Sequence, residues 1–460
     1  MMMRFLLLSL FILIGGFYLS AQKVDNYTYL QTKYAEEDAV ILSLKRSIDI
    51  RIVEDSLLIK GFNEEERYFI NDKSQGLADY YVYYSNFFQL GDLEAYYYYP
   101  NDGKYKKEKV DNIADKSYYS SSVLFEDSRY KHIIFPKVSE GCRTWVSYSY
   151  TLTEPRLLSD FLINSYMPIK DVEYSVSFPN DVKLKYTVFN DTANSLKFEK
   201  SEIKGITTYK WTGNNIPDYD LTSNTVPPRY FVPIVVVYID EYTNSEGNHK
   251  LLTDLNELHR WYYSLTKDLN NKEEQQLNKL IDSLVVDIPD PAEQIKTIYY
   301  WVQDNIKYVA VLDGMRGFVP EKAINVYTCR YGDCKGMSSI LNTMLNIAGF
   351  ESYLTWVGTR NKPYKYTEIP TPIVDNHMIV SVKLDDTWYF LDATNKNLPI
   401  ELPSRAIQGK QTLISKSEAE YEIVTVPVIE KEVSGSCDSI FLTIREKDLG
   451  GTGLISFKGY

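Results

Sequence analysis

Histidine and cysteine, the side chains that hold most transition metals, occur only four times each in 460 residues, and nowhere do they fall at ligand spacing. That scarcity argues against a zinc site, and neither a metal nor a cofactor is expected. Four thiols, Cys142, Cys329, Cys334 and Cys437, are also too sparse for a disulfide-framed scaffold, although an even count leaves a Cys329 to Cys334 bond open. No glycine-rich phosphate loop, internal repeat or low-complexity tract is present. Beyond Leu19 no apolar run is long enough to cross a bilayer. Positive charge is the scarcer sign, 50 Lys and Arg against 62 Asp and Glu, for a net charge of −12. Such a surface repels nucleic acid, which is therefore not an expected partner. The one lysine cluster, Lys104, Lys106, Lys107 and Lys109, follows an Asn-Asp-Gly turn and suits a solvated strand edge.

The chain opens with Met1-Met2-Met3-Arg4, an apolar run from Phe5 to Leu19 and the small residues Ser20-Ala21. This order reads as a secretory signal over residues 1–21, the other reading being an uncleaved anchor. Without Arg4 the charge becomes −13. The expected location is outside the cytoplasm: periplasmic, associated with the outer envelope, or secreted, with no membrane span after cleavage.

Hydrophobic residues make up 44% of the chain, enough to fill the cores of about three domains. From about residue 38 to 245 apolar residues alternate. Ile48, Ile50 and Ile52 form one strand; Val172 to Phe178 and Val182 to Val188, joined by Pro179-Asn180-Asp181, read as a hairpin. A further hairpin centres on Asn101-Asp102-Gly103, and Trp145 to Thr151 alternates too, so this half reads as an antiparallel β-sandwich. Its many tyrosines, 40 in the whole chain, suit half-buried strands, and they would also suit a sugar- or peptide-binding face.

The period turns helical between Leu251 and Asp287. Asp290-Pro291-Ala292-Glu293 then supplies an N-cap, a proline at the first helical position and an acid for a capping box. Ile295, Ile298, Tyr299, Val302 and Ile306 mark the buried stripe of the helix that follows, whose role is support. After a loop, Gly332-Asp333 leads into a helix starting at Cys334 and capped by Gly349. Tyr353 to Val357, the hairpin of Asn376 to Leu384 and Thr387 to Leu391, and Ala406 to Ile414 complete an α+β domain. Ser439 to Arg445 and Gly453 to Tyr460, around a turn at Gly450-Gly451, read as the opening strands of a third domain. The expected plan is a signal at 1–21, a sandwich at 22–248, a helical connector at 249–288, a catalytic α+β domain at 289–430, and the start of a C-terminal β domain at 431–460.

Chemistry concentrates on Cys334. A thiol in the first turn of a helix faces unpaired N–H groups and the positive end of the dipole, which favour the thiolate. If Asp385-Asp386 form a two-residue turn, Leu384 faces Thr387 and Ile379 faces Asp392, which makes His377 and Asp392 diagonal neighbours on one sheet face. The acid can orient the imidazole while its other nitrogen takes the thiol proton. Each residue also has a plainer role: Cys334 as a small buried residue, Asp392 as a turn cap before Thr394-Asn395, His377 as one histidine among four. His132, His249 and His259 lack comparable surroundings.

Arg330-Tyr331-Gly332-Asp333-Cys334-Lys335, Leu341 to Gly349, Asn376-His377-Met378 and Leu391-Asp392-Ala393-Thr394 resemble the transglutaminase-like superfamily, as does the helix around Trp301 to Tyr308. The likeness covers roughly residues 275–425 and implies a papain-like Cys334, His377 and Asp392 triad. Gly141 to Tyr150 and Trp211 to Pro217 resemble a β-rich domain of unknown function that commonly precedes such cores in exported bacterial proteins, where a third β domain usually follows. Two departures stand out: Gly336, where the resemblance leads one to expect an acid, and Cys329. The implied activity is acyl transfer on a peptide or protein substrate, with Trp301, Gln303 and Tyr308 as unranked candidates for a second oxyanion donor. Two alternatives stay open: a silent envelope module whose sandwich holds a peptide, glycan or protein partner, and a redox pair of Cys329 and Cys334.

Overall fold

In a computed structural model the described residues are 27–118, 123–136, 138–158, 160–163, 165–219, 225–269 and 275–460. The expected signal at 1–21 lies outside them. Among the described residues no helix is long and apolar enough to cross a membrane.

The N-terminal half is built on long strands, β1 (Ala39–Val53), β2 (Ser56–Phe69), β3 (Phe88–Asn101), β4 (Lys104–Lys109), β5 (Arg143–Leu152) and β6 (Ile169–Pro179). After β7 (Val182–Phe189) come β8 (Leu196–Ile203), β9 (Ile206–Ile216) and β10 (Ile234–Asn244). Eight of them form one sheet in the order β8-β9-β6-β1-β2-β5-β3-β4. Asp102 and Gly103 both take positive φ in the β3–β4 turn, as a tight Asp-Gly hairpin requires. β4, with its lysines, is the exposed edge strand, and Lys107 lies 3.6 Å above the Tyr96 ring.

The structure corrects the reading of this half in two places. The sheet is mixed, because β1 and β6 run parallel. β6 and β7 do not form a hairpin: β6 pairs with β1 and β9, whereas β7 pairs with β10 in a second sheet. Alternation reports that a strand has one buried face and is silent about which neighbour it bonds, so a corner between sheets and a hairpin look alike. Between the sheets lies the core. Tyr174 is fully buried there and stacks on Trp211 at 5.5 Å and Phe161 at 4.9 Å, so part of the tyrosine excess is interior packing.

Two helices stand where a connector was expected. α1 (Leu255–Thr266), capped by Asp254, buries Leu258, Trp261 and Tyr262 in a core shared with both halves of the chain. α2 (Gln275–Val285) instead joins the core of the following domain through Leu277 and Ile281. That domain packs α3 (Pro291–Asn305), α4 (Ala323–Cys329) and α5 (Cys334–Ile347) against a five-stranded antiparallel sheet. Its strands are β11 (Ser352–Val357), β12 (His377–Leu384), β13 (Thr387–Leu391), β14 (Gln411–Ser415) and β15 (Tyr421–Thr425), ordered β13-β12-β11-β14-β15. Residues 406–409 are turn, and the strand begins only at Gln411.

At the C-terminus β16 (Gly435–Arg445) and β17 (Asp448–Lys458) pair throughout. The turn falls at Glu446-Lys447, not at Gly450-Gly451 as expected. The glycines lie inside β17, where a Cβ on Gly451 would sit 2.6 Å from the Phe441 carbonyl. Close backbone approach, not turning, accounts for that glycine.

Candidate active site

The nucleophile's position follows from a short series of local choices. α4 ends at Cys329, and Arg330 takes a left-handed conformation at φ 60° that turns the chain back. Its guanidinium lies 4.4 Å over Tyr327 and 5.1 Å over Trp301, which holds the turn in place. Tyr331–Gly332 then pairs in parallel with Lys307–Tyr308, setting Tyr308 opposite Gly332. Asp333 caps the next helix by accepting from the Gly336 N–H at 2.9 Å, and its other oxygen pairs with Lys335. Cys334 is thereby the first residue of α5. One turn on, the Ser338 hydroxyl donates to the Met378 carbonyl at 3.0 Å, tying the helix to the strand that carries His377. Gly336 packs against α4, and a Cβ there would lie 3.4 Å from Val326.

The β12–β13 hairpin has the register that a two-residue turn requires, with Leu384 opposite Thr387 and Val380 opposite Leu391. Asp385 and Asp386 both adopt positive φ. His377 Nε2 lies 3.0 Å from Asp392 Oδ2. The other Asp392 oxygen accepts from the Thr394 hydroxyl at 2.6 Å and its N–H at 3.2 Å, so the carboxylate caps the turn and holds the ring at once. Cys334 and His377 line the same cavity, and Cys334 is near enough to help raise the imidazole pKa. The structure therefore brings sulfur, imidazole and carboxylate together, with Nδ1 of the ring not engaged by Asp392.

Burial alone would push the His377 pKa down, but the Asp392 charge and hydrogen bond, joined by those of Cys334, outweigh it and raise it to about 10. For Asp392 burial pushes upward, while the imidazolium and the two Thr394 donors prevail and hold it below the ordinary carboxylate value. The two directions agree on an imidazolium facing a carboxylate.

α3 supports this arrangement from behind. The Tyr299 hydroxyl donates to the Asp392 carbonyl at 3.1 Å, and Gln303 Nε2 donates to the carbonyls of Asn395 and Leu398 at 2.9 and 3.2 Å. Gln303 is thus committed to the loop after Asp392, and Trp301 stacks on Tyr327, leaving Tyr308 as the candidate that lines the cavity with Cys334 and His377. Burial, then the nearby Cys334, raise the Tyr308 pKa to about 12, so its hydroxyl keeps its proton. All four cysteines are free, with Cys329 exposed. Among the described residues no cluster of His, Cys, Asp and Glu is arranged to hold a metal.

The cavity above Cys334 measures about 520 Å³ and lies between the two halves of the chain. Phe88, Arg156 and Arg229 reach it from the N-terminal half, and Trp356, Lys362 and Asp375 from the other. Tyr364 donates to Asp160 at 2.9 Å and Tyr230 to the Arg360 carbonyl at 2.6 Å, so the wall is stitched across the boundary. Asp375, half-buried two residues before His377, is held by the hydroxyls of Tyr262 and Tyr366 at 2.6 and 2.8 Å. These contacts from α1 and the segment 358–376 escaped the sequence reading. The only signal for them was Asp375, an acid two residues before the histidine in an otherwise apolar stretch.

A helix-borne cysteine packed on an antiparallel sheet that supplies a histidine and an acid defines the papain-like class of folds. Residues 278–393 match the family model described as the transglutaminase-like superfamily, and residues 62–219 match a domain of unknown function with solved structures, DUF3857. The chain carries a transglutaminase-like domain behind a DUF3857 domain. Among solved structures it is similar to a provisionally named protease from Parabacteroides distasonis, with a TM-score of 0.64 at 14% identity over 88% of this chain and 78% of that one. A provisionally named cysteine protease from Cytophaga hutchinsonii aligns over 87% of this chain and 91% of that one, at 11% identity and a TM-score of 0.23. The first likeness speaks for the fold across both halves. No curated protein matches the chain.

Proposed function

We propose that the protein is an exported thiol-dependent enzyme that cleaves or modifies peptide or amide bonds by acyl transfer through Cys334, His377 and Asp392. The observation that carries this reading is the convergence of Cys334 and the Asp392-bonded His377 on one cavity large enough for a peptide segment.

In this mechanism His377 already holds the proton that Cys334 gives up, and the thiolate sulfur adds to the substrate carbonyl carbon. Asp392 keeps the ring oriented and stabilises its positive charge. The carbonyl electrons move to oxygen, where the Cys334 N–H and the Tyr308 hydroxyl meet the charge. Collapse reforms the carbonyl and breaks the C–N bond, the leaving amine takes the proton from His377, and a thioester remains on Cys334. His377 then removes a proton from the acceptor, water in hydrolysis or an amine in cross-linking, as it adds to the thioester. Expulsion of the sulfur returns the thiolate beside protonated His377.

Incubation of the protein with a mixed peptide and glutamine-donor library, read by mass spectrometry, separates cleavage from transfer. Products are expected with the intact chain and absent with Cys334→Ala; identical spectra from both proteins would refute the proposal. Export is tested by N-terminal sequencing of the protein from the cell envelope, which is expected to begin at or near Gln22.

A further inference from the structure

Within the cavity one cation has no counter-ion. Lys362 lines it, and its ammonium has neither a hydrogen bond nor a carboxylate within 4.0 Å among the described residues. The neighbouring acids are already engaged: Asp160 pairs with Arg229 and accepts from Tyr364, and one oxygen of Asp375 takes two tyrosine hydroxyls. Lys362 is not free to wander. The buried Lys410 donates to the backbone carbonyls of Lys362 and Tyr364, and the Thr359 N–H and hydroxyl are clamped by the Asn376 amide at 2.9 and 3.1 Å. The backbone that carries Lys362 is thus anchored, and its half-buried side chain lines the same cavity as Cys334. Burial and then the nearby Arg229 charge lower its pKa, against a smaller opposing pull from Asp375, so an anion beside it would offset the cost of burying the ammonium.

We infer that Lys362, with Arg229 behind it, forms an anion-holding subsite of this cavity, and that the acyl donor is a peptide carrying a carboxylate there. The inference rests on the acyl-transfer reading and names its substrate class. The carboxylate could come from an acidic side chain or from a free C-terminus, which present the same chemistry to Lys362.

The test uses chloroacetyl peptides that alkylate Cys334 with loss of chloride: chloroacetyl-(Gly)n-Glu-amide, the Gln-amide isostere and the Gln peptide with a free C-terminus, with n from zero to three. Rates of Cys334 modification are followed by mass spectrometry under subsaturating conditions. At one spacer length the acidic member that fits is expected to react about tenfold faster than its neutral isostere, as a charge-assisted hydrogen bond implies. The preferred arm identifies the source of the carboxylate. Reading the ratio cancels any general change in thiol reactivity. The preference is expected to vanish in Lys362→Met and to survive in Lys362→Arg, with thermal unfolding showing that both variants are folded. Equal rates at every length, or a preference that survives in Lys362→Met, would overturn the inference while leaving the thiol enzyme standing. Failure of every reagent to label Cys334 would overturn both.

Discussion

Asp392 serves two partners with two oxygens, and its substitutions separate the tasks. Asp392→Asn keeps the size but supplies a donor where the ring needs an acceptor, and turnover is expected to fall by about 10²–10⁴-fold, measured as kcat on any substrate the library reveals. Thr394→Val removes only the hydroxyl, which holds the carboxylate in plane from behind. A smaller loss of about tenfold is expected, through a less well-oriented imidazole. The same pair sets a pH dependence of stability. His377 is raised from 6.5 to about 10 on folding, so its contribution is complete below pH 6.5 and disappears as pH climbs through 10. Asp392, held low, contributes above its ordinary value near 3.8 and loses that contribution in acid. Thermal unfolding of the wild type against Asp392→Asn should therefore show its widest gap between about pH 4 and 6.5, narrowing toward pH 10. A gap that widens with alkali would reject the imidazolium–carboxylate pair.

At the scale of the element, α3 is the brace behind the site. Gln303→Leu leaves two carbonyls of the loop after Asp392 without their donor, and a loss of about 2–3 kcal/mol in chemical denaturation is expected. Tyr299→Phe, which removes one donor from the Asp392 carbonyl, should cost about half as much. Much of this element was legible beforehand. Its cap, its proline and its apolar stripe are written within one helix, and Asp290 does accept from the Ala292 N–H. The hairpin of His377 and Asp392 was equally readable, because two aspartates in a two-residue turn set parity and parity sets faces. What escaped depends on residues far apart in sequence. The pairing of Tyr308 with Gly332 takes two residues from each strand, too few for any periodicity to register. The crossing from β6 to β7 escaped for a different reason, since both strands show the same alternation whichever sheet receives them.

Across the whole molecule, the interface between the halves is a core and not a hinge. A single apolar cluster runs from Ala39 through Trp261 and Tyr262 of α1 to Trp356 and Leu413. The Tyr262 and Trp356 rings lie 4.7 Å apart and nearly parallel. Calorimetry should accordingly record one cooperative transition that includes both halves; two well-separated peaks would show them to be independent. Tyr262→Ala should lower the midpoint by several degrees, given about 3–5 kcal/mol for deleting a buried aromatic. It should also disturb the cavity wall, because the same ring's hydroxyl holds Asp375.

The β16–β17 hairpin has a physical consequence in concentrated solution. Ile440, Phe441, Leu442, Ile444, Leu454 and Phe457 are all more than 60% exposed, and among the described residues β16 and β17 pair only with each other. Two such ribbons can continue each other's ladder, so light scattering should grow with protein concentration, and lysines at Phe441 and Leu454 should suppress that growth. Storage behaviour would then be governed by two dozen residues remote from the sulfur, whatever chemistry that sulfur performs.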